Sequence, residues 1–396
     1  MSRVVVTGMG IISALGRNVE ECHEQLRSGK TGIKAGTIIK SNYSSTFPFG
    51  EVSLTNVELA NMGGWSAKNR GRTDLLAKIA FTQAIQHAGL SKEDLSAEDT
   101  AFISASTVGG MSDADTLYND IQVNQEASAF MDSYSYDAHL INLSKEYGIK
   151  GFTATINTAC SSSANAIMLG ARLIKSGRAK RAIVGGSDSL GKFTINGFNA
   201  LRILSEKPCM PFDENRSGLT LGEASAYMVL ESEEFASNKI PLAVISGHGN
   251  ANDAYHPSSI SPDATGVIES MNKALRSARV EPNEIDYINA HGTGTENNDI
   301  SELKGMKSIF GNIPPFNATK SYTGHTLAAA GAVEAIFSIL SLQNQELFPS
   351  LNCSVPINEY KIEPITEYQP NSKIKHLLSN SFGFSGSCTS LVISQP

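Results

Sequence analysis

The sequence predicts an α/β protein made of two pseudo-symmetric halves, each a sheet of buried strands with helices on both faces. Three observations carry that expectation. The run VVVTGMG at residues 4–10 returns as AVISGHG at 243–249, a β-branched stretch closed by Gly-x-Gly in both places. Residues 76–107 are then echoed by 267–293: a helix with apolar positions three and four apart, a polar turn and a short apolar strand. Finally, small residues open a helix near Cys160 and again after Thr323, and each helix is followed by two more strands.

Taken in order, the first strand ends at Gly8 and Gly10. The third glycine of a dinucleotide fingerprint is misplaced, because position 13 is Ser13, and the recurrence at Gly247 and Gly249 reads as a structural turn of the repeat. A helix and strand follow. A strand-like run then leads to TACSSSANA, where Cys160 stands at the entrance of a long apolar-periodic helix. AKRAIVGGSDS and SAYMVLES complete the first half, and IKHLLSNSFGFSG and CTSLVISQ complete the second. Two such sheets, related by a pseudo-twofold axis, would share a central helix layer. The halves divide at 1–240 and 241–396. Residues 108–150 and 190–220 have no counterpart in the second half, and such additions form subunit interfaces or cover a pocket.

Composition narrows the class. With 396 residues and 41% apolar content the chain can bury a large core. A net charge of −7 disfavours a nucleic-acid binder. Five cysteines lie far apart without CxxC or Cys/His clusters, so neither a disulfide framework nor a metal site is expected. No leader pattern and no stretch of ~18 or more apolar residues suggest targeting or a membrane span. The expectation is a soluble, cytoplasmic protein.

Chemistry concentrates at a few positions. A cysteine in the first turn of a helix is exposed to unpaired N–H groups and the helix dipole, which lower its pKa and make it a nucleophile. Taken alone, Cys160 reads more readily as a small buried core residue, and its neighbours change that balance. His291 ends an apolar strand ahead of a Gly/Thr loop with Thr293 and Thr295, and His325 stands beside Lys320 and Glu334 in a turn-plus-helix segment. Two histidines at corresponding ends of elements, each in a glycine-rich stretch, are hard to explain as core filling.

With these motifs the chain resembles the elongating β-ketoacyl-acyl-carrier-protein synthases of the thiolase superfamily. The resemblance runs from RVVVTGMGIISALG to SNSFGFSGSCTSLVI and includes TACSSSANA, PCMPFDENRSGLTLGEASAYMVLE, NDAYHPS, HGTGTENNDISE and KSYTGHTLAAAG. It implies a thiolase-like fold, two βαβαβαββ halves in a five-layered αβαβα arrangement. It also implies that Cys160 accepts an acyl group from a carrier-protein thioester, after which a malonyl thioester loses carbon dioxide and extends the chain by two carbons. His291 and His325 would stabilise the enolate by hydrogen bonding without a metal. The backbone N–H groups of Cys160 and Phe384 would hold the oxyanion. Lys320 and Glu334 would support the histidines, Thr293 and Thr295 would bind the pantetheine arm, and Val108 would line the acyl tunnel.

Phe384 is the implied gate, and here the loop departs from the family pattern. The usual Gly-Phe-Gly-Gly-Thr-Asn reads Gly383, Phe384, Ser385, Gly386, Ser387, Cys388. Ser385 cannot reach positive φ as cheaply as glycine, so gate motion and acyl loading are expected to differ. Lys68, Arg70 and Arg72, grouped just ahead of a helix, are expected to dock the acidic acyl carrier protein. No cofactor is expected, since the substrates ride on phosphopantetheine. The implied assembly is a homodimer, with a heterodimer with a ketosynthase-like subunit as the other arrangement. The competing functions are a non-catalytic partner subunit resembling a chain-length factor, which lacks the nucleophilic cysteine, and a thiolase, which needs a second catalytic cysteine in a pattern that does not surround Cys388.

Overall fold

The computed structural model describes residues 3–67, 70–123, 131–360 and 362–396. The strands used below are β1 (Val4–Ser13), β2 (Thr100–Ala105), β3 (Thr153–Ile156), β4 (Arg181–Asp188) and β5 (Ala224–Ser232) in the first half. The second half has β6 (Ala243–Asn252), β7 (Tyr287–Asn289), β8 (Phe316–Asn317), β9 (His376–Phe382) and β10 (Ser387–Ser394). Their order is β8-β7-β9-β10-β6-β1-β5-β4-β2-β3. Counted outward from the middle, both halves run first, fifth, fourth, second, third strand, and in both the fifth strand is antiparallel to its two neighbours while the others pair in parallel. The predicted repeat is therefore visible strand by strand. The two sheets meet where β1 pairs with β6, in the antiparallel pairs Val5 with Val244 and Val6 with Ala243.

Five helices supply the layers: α1 (Arg72–His87), α2 (Ser162–Lys175), α3 (Thr265–Ala278), α4 (Glu296–Phe310) and α5 (Ala330–Asn344). Helix α1 covers the outer face of the first sheet, and α3 with α4 covers that of the second. Between the sheets lie α2 and α5, in contact with each other and with strands of both halves. This gives the α-β-α-β-α layering of a thiolase-like fold. Ile167 and Ala171 of α2 and Val333, Ile336 and Phe337 of α5 belong to the inner core, while Leu76 and Phe81 pack outside against Phe102 and Tyr227.

Two expectations change. The Gly-x-Gly pairs are not turns, since β1 and β6 run straight through them. They are crossing points of helix on strand: a Cβ on Gly10 would lie 2.2 Å from the Ala80 carbonyl oxygen of α1, and one on Gly249 would lie 2.1 Å from that of Ser270 in α3. Only glycine allows the two backbones that close. Secondly, Leu327–Asn344, the 18-residue segment that runs into α5, is long and apolar enough to cross a bilayer. It is 89% buried, and its apolarity comes from a place in the inner layer rather than from one-sided amphipathicity.

Candidate active site

Cys160 stands between β3 and α2, at a sharp turn. Ala159 adopts φ 53°, left-handed for an L-residue, and Ser162 N–H donates to its carbonyl oxygen at 3.1 Å. Ser161 is the N-cap, so the cysteine precedes the first helical turn rather than lying in it. The dipole fades over that distance. Burial pushes the resting thiol up to about 11, against the opposing pull of Lys320 and of the Phe384 and Cys160 N–H groups on the sulfur. The expected low-pKa thiolate is thus corrected to a neutral buried thiol. The same two N–H groups are the ones a tetrahedral oxyanion at this position would need.

The histidines are held by donors from behind. His325 Nδ1 accepts the Leu327 N–H at 3.1 Å, which places the proton of the neutral ring on Nε2; that atom is buried and has no partner among the described residues. His291 Nδ1 lies 3.1 Å from Lys320 Nζ. A lysine ammonium donates only, so this ring too carries its proton on Nε2. Lys320 also donates to the His291 carbonyl oxygen at 2.6 Å and to Glu334 through a close ion pair. Burial, then Lys320, holds both imidazoles well below the ordinary histidine range, so they are neutral. Burial raises the Glu334 carboxyl to about 7 against the attraction of Lys320.

The two rings stand edge to face with centroids 5.5 Å apart, and Cys160 Sγ with one nitrogen of each histidine falls within a mutual 4.8 Å. A cysteine and two histidines raise the question of a metal. Ligation through Nε2 would move each proton to Nδ1, where it would face the Leu327 N–H or the Lys320 ammonium. Metal-bound histidines put acceptors there. The donor pattern suits rings that donate through Nε2.

The backbone around His291 is fixed by a residue the sequence reading passed over. Glu302 of α4 accepts the N–H groups of His291 and Gly292, each at 2.9 Å, and the Asn380 amide at 3.1 Å. Its only trace in sequence is its place in NNDISE, one helical turn after Asp299, which itself accepts the Thr293 N–H at 3.1 Å.

Cys160, His291 and His325 line a cavity of about 370 Å³. Thr293 and Thr295 lie along it with hydroxyls 2.8 Å apart. Phe384 sits at its wall, stacked on Phe198 with ring centroids 5.9 Å apart. Phe198, Arg202 and Leu219 come from the 190–220 insertion, which does cover the pocket. No local signal marks Phe198, since its partner is Phe384. Val108 is not among the lining residues; it is buried behind them, packed with Leu190, Leu219 and Leu327. Cys388 points away from the site toward Gly266 of α3, in the outer core.

The docking expectation needs the largest correction. Arg72 is buried, its guanidinium bonded to both oxygens of Glu223 at 2.9 and 2.6 Å and to the carbonyls of Val52 and Leu54. A guanidinium fixed on a buried carboxylate offers nothing to a partner. Arg70 is partly exposed and lies over the Trp65 ring at 5.0 Å. Lys68 lies outside the described residues.

Comparison with known proteins agrees with this geometry. The family model described as Beta-ketoacyl synthase, N-terminal domain, matches residues 1–236, and that described as Beta-ketoacyl synthase, C-terminal domain, matches 242–354. A protein of Staphylococcus aureus (strain N315) named 3-oxoacyl-[acyl-carrier-protein] synthase 2 is 31% identical over 398 residues, covering 97% of this chain and 96% of its own. Among solved structures, the ishigamide ketosynthase/chain length factor superposes with TM-score 0.93 at 27% identity, covering 100% and 99% of the two chains. A type II polyketide ketosynthase in complex with its acyl-carrier protein superposes with TM-score 0.89 at 26% identity, covering both chains fully.

Proposed function

The chain belongs to the β-ketoacyl synthase family, and from that membership we propose that it catalyses decarboxylative Claisen condensation of an acyl thioester with malonyl-acyl-carrier protein, giving a 3-oxoacyl-acyl-carrier protein. The observation that carries the reading is the pair of neutral imidazoles whose Nδ1 atoms both face donors, so that each carries its proton on Nε2, beside a buried cysteine. Cys160 sulfur attacks the acyl thioester carbonyl, the Cys160 and Phe384 N–H groups hold the tetrahedral oxygen, and the carrier's thiol leaves with the cysteine proton. The malonyl thioester then enters along Thr293 and Thr295. Carbon dioxide departs while the two Nε2–H groups stabilise the enolate oxygen. The enolate carbon attacks the acyl carbonyl, the carbon–sulfur bond breaks, and Cys160 leaves as a thiolate that takes up a proton from water to restore the thiol. The chain and its thioester substrates supply every group this sequence requires, so it takes no cofactor.

The partners in this reading are an acyl carrier protein and a second ketosynthase fold, either another copy or a related subunit. The names of the structural neighbours, one with a chain-length factor and one with an acyl-carrier protein, support that choice. A non-catalytic subunit is disfavoured by Cys160 and both histidines standing together.

Intact-protein mass spectrometry with acyl carrier proteins of different chain length tests the proposal. The expected result is a mass increase of one acyl group, lost in Cys160→Ala, and discharged by malonyl carrier protein as a product two carbons longer. Absence of acylation across the panel, with and without a ketosynthase-like partner, would overturn it in favour of the non-catalytic subunit.

A further inference from the structure

His291 and His325 are anchored from different sides. The anchors of His291 are Glu302 and Lys320, within its own half. His325 is held by the first half: its N–H donates to the Thr220 carbonyl oxygen at 2.7 Å, and its carbonyl oxygen accepts the Gly222 N–H at 2.9 Å. The ring is set by Leu327, whose φ of 53° is left-handed and whose N–H reaches His325 Nδ1. A leucine keeps that backbone only where its surroundings impose it. The next N–H, that of Ala328, donates at 2.9 Å to Oδ2 of Asp188, a fully buried carboxylate at the end of β4. Ser106 Oγ, the Thr107 and Val108 N–H groups and the Thr107 hydroxyl fix Asp188 in turn. Among the described residues its hydrogen-bond partners are all donors, and none is a cation.

We propose that Asp188 is a positioning residue for His325: by holding the Ala328 N–H it keeps Leu327 in its left-handed conformation, and so fixes the tautomer and direction of the imidazole. Asp188 is not among the residues that line the cavity. It acts through two consecutive backbone N–H groups, one on the carboxylate and one on the ring. The consequence is selective: the step that uses His325 depends on Asp188, whereas acyl transfer, which uses the Cys160 and Phe384 N–H groups, does not.

The test compares Asp188→Ala and Asp188→Asn with the wild-type enzyme in two rates, acylation of Cys160 and decarboxylation of malonyl carrier protein, and in the 15N spectrum of histidine-labelled protein. We expect decarboxylation to fall about 100-fold in Asp188→Ala and about tenfold in Asp188→Asn, the scale of an ångström-sized misplacement. Acylation should stay within about twofold, and the His325 nitrogens should shift from the Nε2–H pattern toward a tautomer mixture while those of His291 hold. Equal loss of both rates, or an unaltered His325 spectrum with unaltered decarboxylation, overturns the proposal. If Asp188→Ala does not fold, Asp188→Asn carries the comparison. The rate arm rests on the ketosynthase reading, which fails separately if wild-type protein performs neither step; the spectrum decides on Asp188 in either case.

Discussion

Cys160 shows how opposing effects on a single atom are decided by distance and burial. Its sulfur has the N–H groups of Phe384 and Cys160 and the Lys320 charge in its favour, yet burial is the largest influence and lifts the thiol from 9.0 to about 11. The sign follows directly: a raised pKa means less thiolate at every pH below it, about one part in 10⁴ at neutral pH. Alkylation of Cys160 by iodoacetamide, followed by intact mass in the absence of substrate, should therefore rise about tenfold per pH unit from 7 to 10 without levelling. A plateau already near pH 7 would show that the N–H groups and helix end outweigh burial. At this scale the sequence was readable where polar residues interrupt apolar runs, as at Cys160, His291 and His325. It misled at Arg72, whose burial depends on Glu223, far away in the chain and joined to it only by folding. A basic residue among basic neighbours carries no mark of a carboxylate waiting for it.

The gate loop is the element where departure from the family pattern has a physical consequence. Ser385 sits at φ 63°, its N–H donating to the Pro257 carbonyl oxygen at 2.7 Å and its own carbonyl oxygen accepting the Asn252 amide at 2.8 Å. Ser387 accepts a hydrogen bond from the Ser161 hydroxyl at 3.0 Å, tying the far side of the loop to the turn that carries the nucleophile. Serine thus takes the conformation that glycine takes more cheaply, and neighbouring bonds impose it. A left-handed L-residue costs ~1–2 kcal/mol, whereas glycine adds ~0.4–1 kcal/mol of unfolded-state freedom. Ser385→Gly should accordingly be stabilising by up to ~1 kcal/mol in thermal denaturation and should load Cys160 faster, since Phe384 is no longer tethered to a strained neighbour. A destabilised variant with unchanged loading would show that Ser385 contributes more through its bonds than it loses in backbone strain. The loop's composition was legible, but its conformation was not, because Asn252 and Pro257 reach it from β6 and the segment beyond. The Gly-x-Gly pairs failed for a related reason: glycine signals a backbone need, and only packing distinguishes a turn from the crossing of α1 over β1.

For the whole molecule, the internal repeat carried the most information, because each half must bury the same faces and so repeats the same apolar pattern. What it could not reveal is how the halves cohere: among the described residues the sheets are joined by a short pairing between β1 and β6, while α2 and α5 pack between them. Nor could it place the 108–150 insertion, whose described residues raise a band of exposed apolar side chains, among them Tyr118, Ile121, Val123, Met131, Tyr134 and Tyr136. Phe152, 49% exposed, immediately precedes β3, the strand that ends the sheet order on the first-half side. An edge strand and exposed apolar side chains are both costly to leave in water, and a second ketosynthase fold packed on them would cover both. We therefore expect the chain to sediment as a dimer by itself at micromolar concentration. Phe152→Asp, placing a charge at the edge, should shift it toward monomer with the far-UV spectrum unchanged. A wild-type monomer that becomes a dimer only with a related subunit would assign the edge to a heterodimer, and a monomer under both conditions would leave the band without the proposed role.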